Sequence, residues 1–387
     1  MSAAGLGGLG GLGGLGGLGG LGGLGRLGGL GGTQGHAGSP NSPYMSSALT
    51  IAIDGIIDPG SITSLTPSDY GPGPMSRIAR TDPRYVRILL VEQLRKGINV
   101  SGDDASNVVV NFENGTQHKI FDVTRPTAAV YAGLQIEQVL ASVDQRADRM
   151  AEIILQQNDI LSFLGSTMRI HDVSHGWSLE MLRATQDVAT LVHSQIKHRL
   201  STRRPVELFP ETAPITQTPQ HSSLPSGHSV EVSAVAYMLS RMSGKSEAET
   251  LSPDNLIMRM AERIAVNRHV AGVQFPFESF AGFLLGVTLG RICHARLFDQ
   301  PETLWGYDIT TGEMADESFS MRRFAEVFDC GTAATWLTQN AISFTPTATP
   351  ELQETAARVA GEWTRGRPTG KKRTRASIRR CSDCRAN

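Results

Sequence analysis

The sequence predicts an all-α fold: a helical bundle with a small β-hairpin elaboration. Two observations carry this expectation. From Pro126 to about residue 300 apolar residues recur at helical spacing, broken by glycine and proline. Before that stretch, the clearest strand signal is a pair of short apolar runs, Val108–Phe112 and 119–121, flanking Asn114-Gly115.

In chain order, residues 5–32 repeat Leu-Gly-Gly with period three, interrupted by Arg26. The repeat lacks proline, which argues against a collagen-like helix, and it has only leucines to bury against a large entropy of ordering. Residues 1–50 therefore read as a low-complexity tail and linker, and 51–345 as one folded domain with its motif core at 126–300. The hairpin ends at Arg125-Pro126. A buried stripe of Val130, Leu134, Ile136, Val139, Leu140 and Val143 follows, continued by Met150, Ile153, Ile154, Ile160, Leu161 and Leu164 up to Gly165.

A second helix is expected from Trp177 to about Leu200, with Leu179, Leu182, Val188, Leu191, Val192 and Ile196 facing inward. A proline-rich loop covers 203–224. Helices are expected over 227–242, 254–271, 276–298 and 319–342, with 346–387 as a basic disordered tail.

The formal net charge of −1 gives no nucleic-acid signal for the whole chain, yet Arg365 to Arg385 carry nine Lys/Arg against Asp383. Such a run suits a solvated end or contact with polyanions. Four cysteines, Cys293, Cys330, Cys381 and Cys384, are too few for a disulfide scaffold, and the Cys381/Cys384 pair has no second ligand pair for zinc. The start has no basic and apolar signal-peptide pattern. The apolar stretch from Ser279 to Gly290 is shorter than the ~20 residues that span a bilayer. A soluble, cytoplasmic protein is the expectation.

Three clusters carry the chemistry: Lys197-x6-Arg204-Pro205, Pro225-Ser226-Gly227-His228, and Arg268-x5-Gln274-x3-Glu278. Lys197 is placed near a helix end, and Pro205 stops the helix from continuing, so both cations can approach one point. Taken alone, this first cluster also fits a solvated face. The second follows a loop and opens a helix, where free N–H groups favour anions. Ser226 adds a hydroxyl, Gly227 admits close approach to the backbone, and His228 stands beside the anion as proton donor or acceptor. It also fits a capped helix with an incidental histidine.

In this order, with spacers of 19 and 39 residues, the clusters resemble the type-2 phosphatidic acid phosphatase / vanadium-dependent haloperoxidase superfamily. The resemblance implies that Lys197, Arg204, Ser226, Gly227 and Arg268 hold an oxyanion, phosphate or vanadate, and that His228 is the general acid/base. The family's final histidine attacks phosphorus or ligates vanadium, and the following carboxylate orients its ring. Those positions are Gln274 and Glu278, and Asn267 stands where the family has serine. An amide nitrogen is a poor nucleophile and a poor metal ligand, so weakened turnover is expected. His269, adjacent to Arg268, is a weak substitute because it lies five residues before position 274.

The soluble, haloperoxidase-like branch is the expectation. It implies peroxide and halide as co-substrates, His221 near the halide side, and a homodimer. A soluble phosphomonoesterase and a catalytically silent phosphate-binding scaffold are the alternatives.

Overall fold

A computed structural model describes residues 78, 81, 83–102, 106–329 and 335–364. The Leu-Gly-Gly repeat, Cys330, the Cys381/Cys384 pair and the basic run from Arg365 lie outside the described residues.

Helix α1 (Pro83–Arg95) precedes strands β1 (Ile98–Ser101), β2 (Asn107–Glu113) and β3 (Gln117–Thr124). Four helices follow: α2 (Ala128–Tyr131), α3 (Leu134–Ala141), α4 (Arg146–Gln156) and α5 (Leu161–Ser166). The bundle core is α6 (Gly176–Leu200), α7 (Pro205–Leu208), α8 (Gly227–Met242), α9 (Glu247–Leu251), α10 (Leu256–Val270) and α11 (Pro276–Phe298). The chain closes with β4 (Glu302–Ile309), α12 (Met321–Asp329), β5 (Leu337–Phe344) and α13 (Pro350–Thr364).

Helix α11 is the axis of the domain. Every residue from Pro276 to Leu297 is buried, as expected of a helix that is apolar on all sides and packed on all sides. Glycines let α8 lie close against it: a Cβ at Gly282 would stand 2.8 Å from the carbonyl oxygen of Ser226, and one at Gly286 would collide with the Val230 carbonyl and Ser233 Oγ. The stretch that could have suggested a membrane span is thus the centre of the core. No helix among the described residues is long and apolar enough to cross a membrane.

The sheet is larger than the predicted hairpin. β2 and β3 pair around Asn114-Gly115-Thr116, with Gly115 at φ 81°, and the hairpin is the inner part of a five-stranded sheet ordered β1-β2-β3-β4-β5. β3 and β4 are parallel and the other pairs antiparallel. This pairing joins residues 121–123 to 307–309. Sequence periodicity is blind to it, because the partner strands are separated by the whole bundle.

The fold is accordingly mostly helical with a small sheet rather than all-α, and the predicted helix over 319–342 is corrected. Helix α12 ends at Asp329, and β5 then buries Leu337, Ile342 and Phe344. The tail expected from 346 is also corrected over residues 350–364. Helix α13 buries Leu352, Thr355 and Val359, and its Glu362 carboxylate accepts the Trp177 and Ser178 amides at 2.8 and 2.9 Å, capping α6.

The expected stripe before Gly165 is buried only in part. Val130, Ile136, Val139, Ile153, Ile160 and Leu164 are inside, whereas Leu134, Leu140, Val143, Met150 and Ile154 face outward. Several short helices with separate orientations replace one continuous amphipathic surface. On α6, Leu191 is likewise exposed, while Leu182, Val188, Val192 and Ile196 are buried. The observed limits of α8, Gly227–Met242, and of α11, Pro276–Phe298, match the expected ranges.

Candidate active site

The three clusters converge on one cavity of about 420 Å³, lined by Lys197, Arg204, His221, Gly227, His228, Arg268 and Gln274, among others. Lys197 lies in the last turn of α6. Arg204 follows the left-handed Ser201 (φ 48°), which ends that helix. Gly227 opens α8 after a cis Leu224–Pro225 peptide. Arg268 lies in the last turn of α10, and Gly272, at φ 77°, reverses the chain so that Gln274 faces the same cavity. The Arg-x5-Gln spacing is therefore one helix end plus a glycine turn.

Both first-cluster cations are tethered to backbone carbonyls. Lys197 Nζ donates to the Ser222 and Ser223 oxygens at 2.8 and 2.7 Å. Arg204 donates to the oxygens of His221 and Val273 at 3.0 and 2.9 Å, and its Nη2 lies 3.1 Å from His221 Nδ1. These bonds fix the 219–224 loop against the helix ends. They leave an ammonium with two acceptors for three hydrogens. Burial, with Arg204 close by, holds the Lys197 pKa well below its usual value. Burial lowers Arg204 to about 10.

Arg268 differs from both. It is 4% exposed, and its Nη1 is buried with no hydrogen-bond partner among the described residues. Burial, then repulsion from Arg204, lowers it to about 10, so it stays charged at neutral pH. A buried guanidinium donor without an acceptor is costly unless something else supplies one.

The second cluster divides. Gly227 and His228 line the cavity, and Ser226 gives the first amides of α8 no side-chain cap. The Ser226 hydroxyl instead accepts from Ser229 Oγ at 3.0 Å, its amide donates to the Glu278 carbonyl at 3.0 Å, and the residue is not part of the cavity wall. His228 Nε2 donates to the Gln156 carbonyl at 3.1 Å. Burial, then Arg268, lowers its pKa to about 3, so the ring is neutral at pH 7.

Glu278 stands behind the wall rather than in it. Its Oε2 accepts from Ser223 Oγ at 2.7 Å, the Phe275 amide at 2.9 Å and Gln274 Nε2 at 3.1 Å, so it caps α11 and holds Gln274 together. Burial pushes its pKa up, against those hydrogen bonds and the charges of Arg204 and Lys197. The Gln274 amide also donates to Ser223 Oγ at 2.7 Å.

His269 is turned away: its Nε2 bonds Ser279 Oγ at 2.7 Å, and it does not line the cavity. Asn267 points to Glu152 and Gln156 through its amide, at 3.2 and 2.8 Å. His221 does lie on the cavity wall, with its pKa lowered to about 3 by burial and by Lys197 and Arg204.

Sequence reasoning missed one pair. His193 and Glu231 also line the cavity, with Nε2 and Oε1 2.9 Å apart. Their spacing held the signal: His193 is four residues before Lys197 and Glu231 three after His228, so each shares a helix face with a residue already singled out.

The family model described as PAP2 superfamily matches residues 182–302. This span runs from within α6 through α11 and contains all three clusters. No curated protein matches the chain.

Proposed function

We propose, for a chain whose residues 182–302 belong to the PAP2 superfamily, that the cavity binds a phosphate-type tetrahedral oxyanion without covalent capture at residue 274. Superfamily membership supports a phosphatase- or haloperoxidase-type function. The observation that carries the narrower reading is Arg268, which lines the cavity and whose buried Nη1 has no hydrogen-bond partner among the described residues. An oxyanion supplies the acceptor that this donor lacks. The Gly227 end of α8 and the third hydrogen of Lys197 Nζ add donors on other sides. A phosphate monoester is the simplest substrate that presents such an anion.

Vanadate shares the tetrahedral charge of phosphate, and the same donors suit its oxygens. The donor set does not suit covalent vanadium binding. The family's nitrogen ligand falls on Gln274, whose Nε2 is an amide committed to Ser223 and Glu278. No reaction step is assigned through vanadium. His221 on the wall favours haloperoxidase-like chemistry as a second reading, with peroxide and halide as co-substrates.

Titration calorimetry with inorganic phosphate, followed by aryl phosphate hydrolysis and by bromide oxidation with peroxide and vanadate, separates the readings. Phosphate binding with aryl phosphate turnover is the expected result. Bromide oxidation without hydrolysis would favour the second reading. Absence of phosphate binding would refute the oxyanion site.

A further inference from the structure

A second cavity, of about 770 Å³, lies beside the first. Asn158, Ile160 and Gln186 line both, so the two adjoin, and Asn158 is exposed where they meet. The walls of the second cavity come from α1, from α5 with the turn that ends it, and from α6. Arg169 stands in that turn at φ 53°, and the Ile170 amide returns to the Gly165 carbonyl at 3.1 Å. Glycine is the usual residue at such a helix exit, so the backbone does not account for an arginine there.

Charge is balanced across this cavity. Arg87, Arg169 and Arg183 line it, and so do Asp159, Asp172 and Asp187. Several of these groups are already paired. Arg87 Nε lies 3.3 Å from Asp187 Oδ2, Arg183 Nη1 donates to Glu180, and Asp159 accepts the amide and hydroxyl of Ser162. The Arg87–Asp187 pair is still reachable, with 11% of the arginine and 26% of the aspartate side chain exposed. Arg169 is exposed, and its guanidinium has no hydrogen-bond or ion-pair partner among the described residues.

A guanidinium beside a carboxylate offers donors and acceptors side by side, and neighbouring hydroxyls complement both. An alkyl chain would desolvate these groups without bonding them. A second anion would face three carboxylates as well as three guanidiniums. Among the described residues that line the cavity there is no Phe, Tyr or Trp on which a nucleobase could stack.

We propose that the second cavity receives the alcohol part of the phosphate monoester, and that this alcohol is a polyol. The proposal rests on the oxyanion reading given under Proposed function. The phosphate lies on the Arg268 side, the carbon chain passes Asn158 and Gln186, and its hydroxyls bond the Arg87–Asp187 pair and Arg169. Asp187 and Arg169 thereby favour a polyol phosphate over an alkyl phosphate of equal carbon count.

The test uses the full chain and two methylenephosphonates that hydrolysis does not consume, the isosteres of a hexitol phosphate and of hexyl phosphate. Titration calorimetry measures both, with inorganic phosphate as reference, in wild type, Arg169→Gly and Asp187→Asn. Glycine suits the φ of position 169, and asparagine keeps the shape of aspartate. Wild type is expected to bind the hexitol compound roughly tenfold or more tightly than the hexyl one, as a few added hydrogen bonds would give. Each variant should reduce that preference to about threefold or less, while affinity for inorganic phosphate stays within about twofold. Equal or tighter binding of the hexyl compound would overturn the proposal. So would a preference that survives in both variants, or one lost together with inorganic phosphate affinity. A wild type that binds none of the three ligands refutes instead the oxyanion reading beneath it.

Discussion

Gln274 Nε2 donates to Glu278 Oε2 at 3.1 Å, one turn away at the start of α11. The carboxylate is placed as an orienting group for the residue before it, but the residue it orients is an amide. The pair therefore has an orienting carboxylate but no basic nitrogen at position 274.

Restoring that nitrogen should therefore be productive. Gln274→His can donate a ring N–H toward Glu278 and present its other nitrogen to the cavity. Aryl phosphate turnover should rise by roughly tenfold or more over wild type, since covalent catalysis divides one difficult step into two easier ones. Steady-state kinetics, with acid-labile phosphohistidine sought by mass spectrometry, checks this. Equal, high turnover in both proteins would show that position 274 is not disabling.

Arg268→Ala removes the unpartnered donor. A charge-assisted hydrogen bond contributes about 1.5–3 kcal/mol, so phosphate affinity should fall by roughly 10- to 100-fold. Calorimetry with the folded variant measures it. Unchanged affinity would take Arg268 out of the site.

Stability should fall with acid in a window set by buried histidines. His221, His228, His269 and His294 all have pKa values lowered to about 3, chiefly by burial, from a usual value of 6.5. Between about pH 6 and 4 the unfolded chain therefore binds more protons at these rings than the native one. Stability is full above pH 6.5 and is lost as pH falls toward 3. Glu278 and Asp187, with their pKa values raised by burial, oppose this by about two protons. Linkage then gives a net slope of roughly 2–3 kcal/mol per pH unit near pH 5. Urea midpoints at several pH values test the sign: constant stability from pH 7 to 4.5 would contradict it.

Gly286→Ala should destabilise the domain without touching the cavity. The added methyl meets the Val230 carbonyl and Ser233 Oγ, so α8 and α11 must separate. Overpacking of this kind costs about 1–3 kcal/mol, read as a lower urea midpoint at unchanged m-value.

The expected limits of α8 and α11 could be read closely because glycine, proline and apolar period act within a few residues. The three clusters were legible for the same reason, as local spacings at helix ends. The five-stranded sheet was not, because β3 and β4 are parallel partners separated by the bundle, and neither carries a signal for the other. Helix α13 was missed because its apolar face is sparse and its main polar tie, Glu362 at the start of α6, is remote in sequence.

The sequence by itself determined which groups stand in the three clusters: Lys197, Arg204, the Gly227 opening, His228 and Arg268, with an amide at 274. These are matters of residue identity and local spacing. Only the tertiary structure decided how each group is used. Lys197 and Arg204 are largely committed to carbonyls, Ser226 turns toward Ser229, and Arg268 Nη1 has no acceptor among the described residues. His193 and Glu231 meet across two helices. The physical reason is that hydrogen-bond satisfaction and burial are set by what packs nearby, and in this chain the neighbours come from distant segments.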